Sequence, residues 1–295
     1  MRVHLLVYRL KGNKGLTLLE LLLAMAISAV LMAAVYRTFI GQHRTYAVQQ
    51  QVVDMQQNVR AAINRMMREI RMAGFGNVSM VLPDFTAKDG PFNNIINPGD
   101  NSDHVGQNDD QITIIGAFEK VPPLATDHSI GGNTLQLAGK ASDFFDLANR
   151  KYVCVGGLET HKVINISGDT LTLSGNLVNP CGAGTPVYKV KAITYRLRWD
   201  TNSPSMPVLT REDNTDGGGS QVVAESIENL QFRYVLNDGS ETDLPADPSK
   251  IRMVRVTINA RTGMEDPELK GEIGGGFRRR TIASNILVRN MMFGP

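Results

Sequence analysis

Cysteines and histidines are among the residues of this 295-residue chain that could bind a metal ion or act as nucleophiles. The two cysteines, Cys154 and Cys181, have no CxxC companion, and no two histidines have metal-ligand spacing. The five histidines are His4, His43, His104, His128 and His161. The chain also lacks GxSxG, HExxH and P-loop sequences. We therefore expect no catalytic residue, no metal site, no cofactor and no enzymatic activity.

One polar segment contains several carboxylates that could hold a calcium ion. Its aspartates are Asp100, Asp103, Asp109 and Asp110. The segment does not follow the EF-hand register, because it lacks the glycine and the terminal glutamate of that loop. A solvated loop is therefore favoured, and calcium remains an alternative.

A single carboxylate, Glu20, lies near the start of an apolar run from Leu16 to Tyr36. As a helix this run would be roughly 31 Å long, about the thickness of one bilayer core. Four basic residues and no acidic residue precede it, which indicates that the N-terminus stays cytoplasmic. An ordinary secretory signal or signal anchor is the alternative, but the sequence AAVYRTF after the run is a poor cleavage site.

Glu20 needs a partner, because a carboxylate inside a spanning helix costs about 2.5–3.5 kcal/mol near the bilayer centre. A cut after Gly15 would give Leu16 a charged α-amino group. Glu20 would then lie at i,i+4 from that amine, on the same helix face. The amine of a neighbouring subunit could serve instead, so Glu20 is a candidate assembly charge pair.

The N-terminal sequence KGLTLLEL resembles the class III signal of type IV pilins and type II secretion pseudopilins. The resemblance implies that prepilin peptidase cuts between Gly15 and Leu16 and that Leu16 is then N-methylated. The family most often has phenylalanine at the position of Leu16. The resemblance also implies an inner-membrane protein with a single span and a periplasmic head.

The helical pattern continues beyond the apolar run. Its apolar positions recur at three- and four-residue steps: Val52, Met55, Val59, Ala62, Met66 and Ile70. The pattern stops at MAGFG, which ends at Gly76. We therefore predict a leader at 1–15 that is removed, a long helix at 16–75 with its transmembrane part at 16–36, and a head at 76–295.

The head shows repeated strand patterns. In AITYRLRW the apolar residues alternate with Thr194, Arg196 and Arg198, which predicts one buried and one solvated face. HKVINISGDTLTLSG predicts a hairpin with Gly168 and Asp169 in its turn. The predicted fold class is α+β, with a long membrane-spanning helix packed on a mainly antiparallel head, as in pilins.

The order of head motifs resembles the PilW family of minor pilins. The motifs are ETHKVINISGDTLTLSG, VVAESIENLQFRYVL, IRMVRVTINART and RRRTIASNILVRN. This resemblance implies a structural subunit that helps initiate type IV pilus assembly and sits at the pilus tip. Its partners would be other minor pilins, the major pilin, prepilin peptidase, the inner-membrane assembly platform and a tip adhesin.

Two alternatives to a minor pilin remain open. ENLQFRY also resembles type II pseudopilin J, and a membrane-anchored periplasmic enzyme or binding protein is an alternative of another class. A net charge of +2 gives no electrostatic reason to expect nucleic acid. A periplasmic head would place Cys154 and Cys181 in an oxidising compartment, where we expect a disulfide between them.

Overall fold

The computed structural model describes residues 17–88, 90–100, 109–200, 206–217, 219–271 and 275–291. The predicted cleavage residues Gly15 and Leu16 lie outside this set, as does Asp103. The chain forms two compact units, Met1–Gln50 and Gln51–Pro295, which we call the N-terminal unit and the head. The α+β fold class predicted from the sequence is confirmed.

One long helix, α1 (Leu18–Met72), contributes residues to both units. It contains no proline, and Gly41 is its one glycine, so its backbone hydrogen bonds continue for 55 residues. It ends where Gly74 and Gly76 adopt φ values of 80° and 93°. Gly76 is required for packing as well, because an added Cβ would lie 2.7 Å from the Cys154 sulfur.

The described part of the head contains fifteen strands, all paired antiparallel. In chain order they are β1 (Thr86–Ala87), β2 (Gly90–Pro91), β3 (Ile96–Asp100), β4 (Asp110–Val121), β5 (Thr134–Gln136), β6 (Tyr152–Val155), β7 (Glu159–Ser167), β8 (Thr170–Leu173), β9 (Val187–Trp199), β10 (Pro207–Asp213), β11 (Gln221–Glu225), β12 (Ile227–Leu236), β13 (Glu241–Thr242), β14 (Ile251–Arg261) and β15 (Arg279–Leu287). Short 3-10 helices cover Val78–Met80, Leu82–Asp84, Ala141–Asp143, Pro248–Lys250 and Arg289–Met291.

The larger sheet has nine strands arranged around β9. One edge of β9 pairs with β4, and its other edge pairs with β6 and then β10. The path continues from β10 to β11 and from β6 through β7 and β8 to β5. The predicted hairpin is confirmed, since Ser167 pairs with Thr170 and Gly168 has a φ of 60° in the turn. The other sheets are the β1–β2 pair and the four-stranded β13-β12-β14-β15.

The helix stripe predicted from the sequence forms the centre of the main core. Met55, Val59, Ala62, Met66 and Ile70 are buried, and Ile63 joins them. They pack with the apolar faces of β9, β12 and β14. Burying each of the larger side chains contributes about 1.5–3 kcal/mol, so this stripe fixes the second half of α1 within the head.

Two smaller cores lie elsewhere in the head. The second core includes Leu135, Val163, Leu171 and Cys181. The third core includes Phe85, Tyr152 and Cys154, with the Phe85 and Tyr152 rings stacked at 4.3 Å.

The solvated face expected for β9 is largely covered. Thr194 is 3% exposed, and Arg196 donates to Glu212 at 2.7 Å. Arg198 donates to the same Glu212 carboxylate at 3.1 Å. The alternation predicted which side chains share a face, but it could not show that β10 supplies Glu212 to neutralise the arginines. Trp199, expected to be buried, is 36% exposed at the end of the strand.

Candidate functional site in the N-terminal helix

The first part of α1 exposes an apolar surface on all sides. Every large apolar side chain from Leu18 to Val35 is more than half exposed. They are Leu18, Leu19, Leu21, Leu22, Leu23, Met25, Ile27, Val30, Leu31, Met32 and Val35. Among the described residues, α1 is the one helix long and apolar enough to cross a membrane. Such a surface needs an apolar cover, from lipid or from other helices.

The helix begins with a capping box formed by Thr17 and Glu20. The Glu20 amide donates to Thr17 Oγ1 at 3.3 Å, and the Thr17 amide donates to Glu20 Oε2 at 3.3 Å. The Thr17 hydroxyl also donates to Glu20 Oε2 at 3.3 Å. Both amides belong to the helix terminus and would otherwise lack an intrahelical acceptor. This capping role was not predicted from the sequence, although the T-x-x-E spacing before an apolar run was the signal for it.

The capping box gives Glu20 a local function in addition to the predicted charge pair. A carboxylate is favourable at a helix N-terminus because it opposes the helix dipole. Its two oxygens have about four lone-pair sites, so bonds to Thr17 leave room for an amine. Because Leu16 lies outside the described residues, the pairing of Glu20 with an amine stays a prediction.

A second glutamate on α1, Glu69, has a different environment. Its carboxylate accepts from the Tyr195 hydroxyl at 2.6 Å and from Arg211 Nε at 3.0 Å. Burial is the largest influence on Arg211 and opposes its charge, but the hydrogen bond to Glu69 and the negative charge nearby together outweigh it and raise the pKa of Arg211. Burial and the neighbouring Glu69 charge both raise the pKa of Tyr195. This group joins the helix to β9 and β10.

The structure does not confirm the predicted disulfide between Cys154 and Cys181, since both are free and buried in it. Side chains along β6 alternate between the two faces of the sheet. Cys154 faces the third core, whereas Val153 and Val155 face the second core, which contains Cys181. The two thiols therefore lie on opposite faces. Burial raises the pKa of Cys154 to about 11, which keeps it protonated at neutral pH.

Two of the four aspartates considered as calcium ligands accept hydrogen bonds from backbone amides instead. Asp109 accepts from the Leu230 amide at 3.1 Å, and Asp110 accepts from the Phe232 amide at 2.6 Å. These carboxylates satisfy amide groups of β12 and link it to the start of β4. No group of three potential metal ligands occurs among the described residues.

Residues 10–36 match the prokaryotic N-terminal methylation motif. The chain carries a prepilin-type signal. The motif ends where the exposed apolar part of α1 gives way to polar residues, and a long apolar helix followed by an antiparallel β head is a pilin-like arrangement.

Comparison with solved structures finds a type IV-like pilin from Thermus thermophilus. It is 10% identical, with 80% of this chain and 97% of that chain covered, at a TM-score of 0.37. No curated protein matches the chain with significant similarity.

Proposed function

We propose that this chain is a minor pilin of the PilW-like type, a structural subunit that helps initiate type IV pilus assembly and sits at the pilus tip. The observation that carries the proposal is the apolar surface of α1 from Leu18 to Val35, exposed on all sides and overlapping the methylation motif at residues 10–36. Its partners would be other minor pilins, the major pilin, the assembly platform and a tip adhesin. We infer no enzymatic role.

The exposed apolar helix supports two successive environments. Before assembly, it would cross the inner membrane with the basic leader in the cytoplasm and the head in the periplasm. After prepilin peptidase cuts between Gly15 and Leu16 and Leu16 is N-methylated, the same surface would pack among the helices of other pilins. The apolar stripe in the second half of α1 is already buried in the head, so the apolar surface that changes its surroundings is that of the first half.

Glu20 would guide the transfer between these environments. A lone carboxylate opposes membrane insertion, whereas inside a packed helix bundle it would neutralise the Leu16 amine of its own or an adjacent subunit. The proposed order is therefore insertion, cleavage, and then recruitment of partners through this charge pair.

Cleavage is tested by mass spectrometry of the N-terminus, for which Gly15→Leu and Gly41→Leu are matched variants. The native protein should begin at N-methylated Leu16. Gly15→Leu should retain the leader, because the signal has a glycine before the cut. Gly41→Leu should be cut normally, since nothing lies within 4 Å of an added Cβ there. An intact leader on native protein from piliated cells would remove the main support for the proposal.

Assembly is tested by recovering the other minor pilins from detergent extracts of cells that express Glu20→Ala or Glu20→Gln. Both variants should insert and be cleaved, yet recover partners poorly and reduce pilus number more than protein level. Glu20→Gln keeps the shape of the side chain and loses its charge. Normal recovery and piliation with both variants would contradict the charge pair. Recovery of secretion-system components instead of pilins would favour a type II pseudopilin, as the ENLQFRY motif suggests.

A further inference from the structure

The apolar surface of α1 ends at a short group of aromatic and basic residues. We call Tyr36, Arg37, Phe39, His43 and Arg44 the belt. Tyr36 and Phe39 are 65% and 55% exposed. Building on the membrane anchoring proposed above, we infer that the belt binds the phospholipid headgroup layer on the membrane side that faces the head.

The length of the apolar segment places the belt at the depth of the headgroup layer. From Leu18 to Val35 the helix rises roughly 27 Å at 1.5 Å per residue, close to the roughly 30 Å of a bilayer core. Tyr36 and Phe39 therefore come at the far interface. Tyrosine and other amphipathic aromatic side chains favour that layer, where the ring is in apolar surroundings and the polar end is hydrated.

Internal hydrogen bonds reduce the polarity of two threonines near the belt. The Thr38 hydroxyl donates to the Ala34 carbonyl at 3.1 Å, and the Thr45 hydroxyl donates to the Gly41 carbonyl at 3.0 Å. Neither hydroxyl needs water as an acceptor. The Phe39 and His43 rings meet edge to face, with centroids 4.3 Å apart, so the two aromatic side chains form one continuous surface.

The charge of the belt complements a layer of phosphates. No aspartate or glutamate occurs between Glu20 and Asp54, whereas Arg37 and Arg44 are cations. They are seven residues apart and therefore lie on one side of the helix. Arginine binds phosphate oxygens through its planar fork of donors. An acidic face on another subunit would be the protein counterpart, but the aromatic rings at the end of a membrane-length segment favour lipid.

Depth-dependent quenching tests the position of the belt. The full chain with Trp199→Phe is reconstituted in vesicles of phosphatidylcholine and phosphatidylglycerol that contain lipids brominated near the headgroup or deep in the acyl chain. Phe39→Trp reports on the belt, and Ala29→Trp, near the middle of the apolar segment, is the control. We expect shallow bromine to quench the Phe39→Trp protein more strongly, and deep bromine to quench the Ala29→Trp protein more strongly.

The outcomes separate this inference from the proposed function. If neither tryptophan is quenched, the segment does not cross the membrane and the anchoring itself fails. If Ala29→Trp is quenched but Phe39→Trp is unquenched, the belt lies under protein or in water beyond the headgroups, and the lipid assignment is overturned. Stronger quenching of Phe39→Trp by deep bromine would also overturn it, because the residue would then lie in the bilayer core.

Lipid selectivity tests the role of the two arginines. At low salt, brominated phosphatidylglycerol should quench the Phe39→Trp protein more than brominated phosphatidylcholine, with local enrichment of up to about fivefold per arginine. Adding Arg37→Gln and Arg44→Gln should abolish the difference. Adding Arg60→Gln and Arg68→Gln, two exposed arginines on the head part of α1, should preserve it. Equal quenching by both lipids without these changes would overturn the phosphate assignment.

Discussion

Between Leu18 and Val35, α1 is apolar on every side and exposed, whereas between Met55 and Ile70 the same helix is apolar along one stripe and that stripe is buried. The second segment has its partners within the head, namely the faces of β9, β12 and β14. The first segment carries apolar side chains on all sides, so the pattern of its residues does not single out one face for packing. Its cover must come from lipid or from other subunits.

The two glutamates of α1 follow the same division. Glu69 binds Tyr195 and Arg211, which lie far away in the sequence, and so contributes to the fold of the head. Glu20 binds Thr17, three residues away, and contributes only to the start of the helix. Among the contacts that the structure describes, one carboxylate therefore joins distant parts of the head, and the other bonds only within the first turn of α1.

An aspartate introduced into each segment should give the largest difference in head stability between two variants. Met66 is 0% exposed, so Met66→Asp should destabilise the head by about 5 kcal/mol or more and prevent its folding. Leu31 is 60% exposed, so Leu31→Asp should change the free energy of unfolding by less than about 0.5 kcal/mol. Its cost should instead appear in membrane insertion, at about 2.5–3.5 kcal/mol.

Urea unfolding in detergent, followed by Trp199 fluorescence, measures the first effect, and extraction of membranes with carbonate measures the second. Equal destabilisation of the head by both variants would show that the two segments are not independent. Normal insertion of Leu31→Asp would weaken the assignment of the first segment to the membrane.

Removal of Glu69 should have the next largest effect. Glu69→Ala leaves Arg211, which is 9% exposed, without its carboxylate, and should cost about 3 kcal/mol in the free energy of unfolding. Glu69→Gln should cost less, because an amide oxygen still accepts from the Tyr195 hydroxyl. Glu20→Ala is the matched control, with head stability unchanged. The same urea titration measures the unfolding free energy of each variant. A Glu69→Ala head as stable as the native head would contradict the structural role of Glu69.

Local patterns explain what the sequence analysis could predict. The stripe from Met55 to Ile70 repeats at helical spacing, and the hairpin turn at Gly168 requires a residue that tolerates positive φ. Both features could therefore be predicted from residues that are close together in the sequence. The apolar segment and its signal were recognised in the same way, because they are continuous in the sequence.

Contacts between residues that are distant in the sequence explain what could not be predicted from it. Asp109 and Asp110 appeared as a possible calcium loop because their acceptor groups were visible and the amides of β12 were not. The disulfide prediction rested on the oxidising compartment, which does not reveal which face of β6 Cys154 occupies. The polar face of β9 was expected to be solvated because Glu212 of β10 could not be placed beside it from the sequence.

The pH dependence of stability should belong to the head, since α1 has no acidic residue between Glu20 and Asp54. Glu159 is 1% exposed and accepts from the Val178 and Asn179 amides and from His161. Burial alone would raise the pKa of Glu159, but these hydrogen bonds outweigh it and lower the pKa. The charged carboxylate therefore stabilises the head above its unfolded pKa of about 4.3, and this stability is lost as the pH falls through the lower folded value.

Glu159→Gln should cost about 1.5 kcal/mol at neutral pH, where the native carboxylate is charged. The variant should show a flatter dependence of unfolding free energy on pH, and the two proteins should converge at strongly acidic pH. Urea titrations from neutral to acidic pH measure both curves. Parallel curves would show that Glu159 does not titrate in folding.

The smallest effect concerns the start of α1, and it separates the two roles of Glu20. Thr17→Ala removes the cap and should cost about 1 kcal/mol of local helix stability, seen as faster amide exchange in the first turn in detergent. Thr38→Ala is the control, because its hydroxyl binds a carbonyl inside the helix and caps no free amide. Thr17→Ala keeps the Glu20 carboxylate and loses only the cap. If Glu20 acts by pairing with an amine, Thr17→Ala should recruit partners nearly normally while Glu20→Gln fails. Equal failure of both variants would mean that the capping box, and not the charge, is what assembly requires.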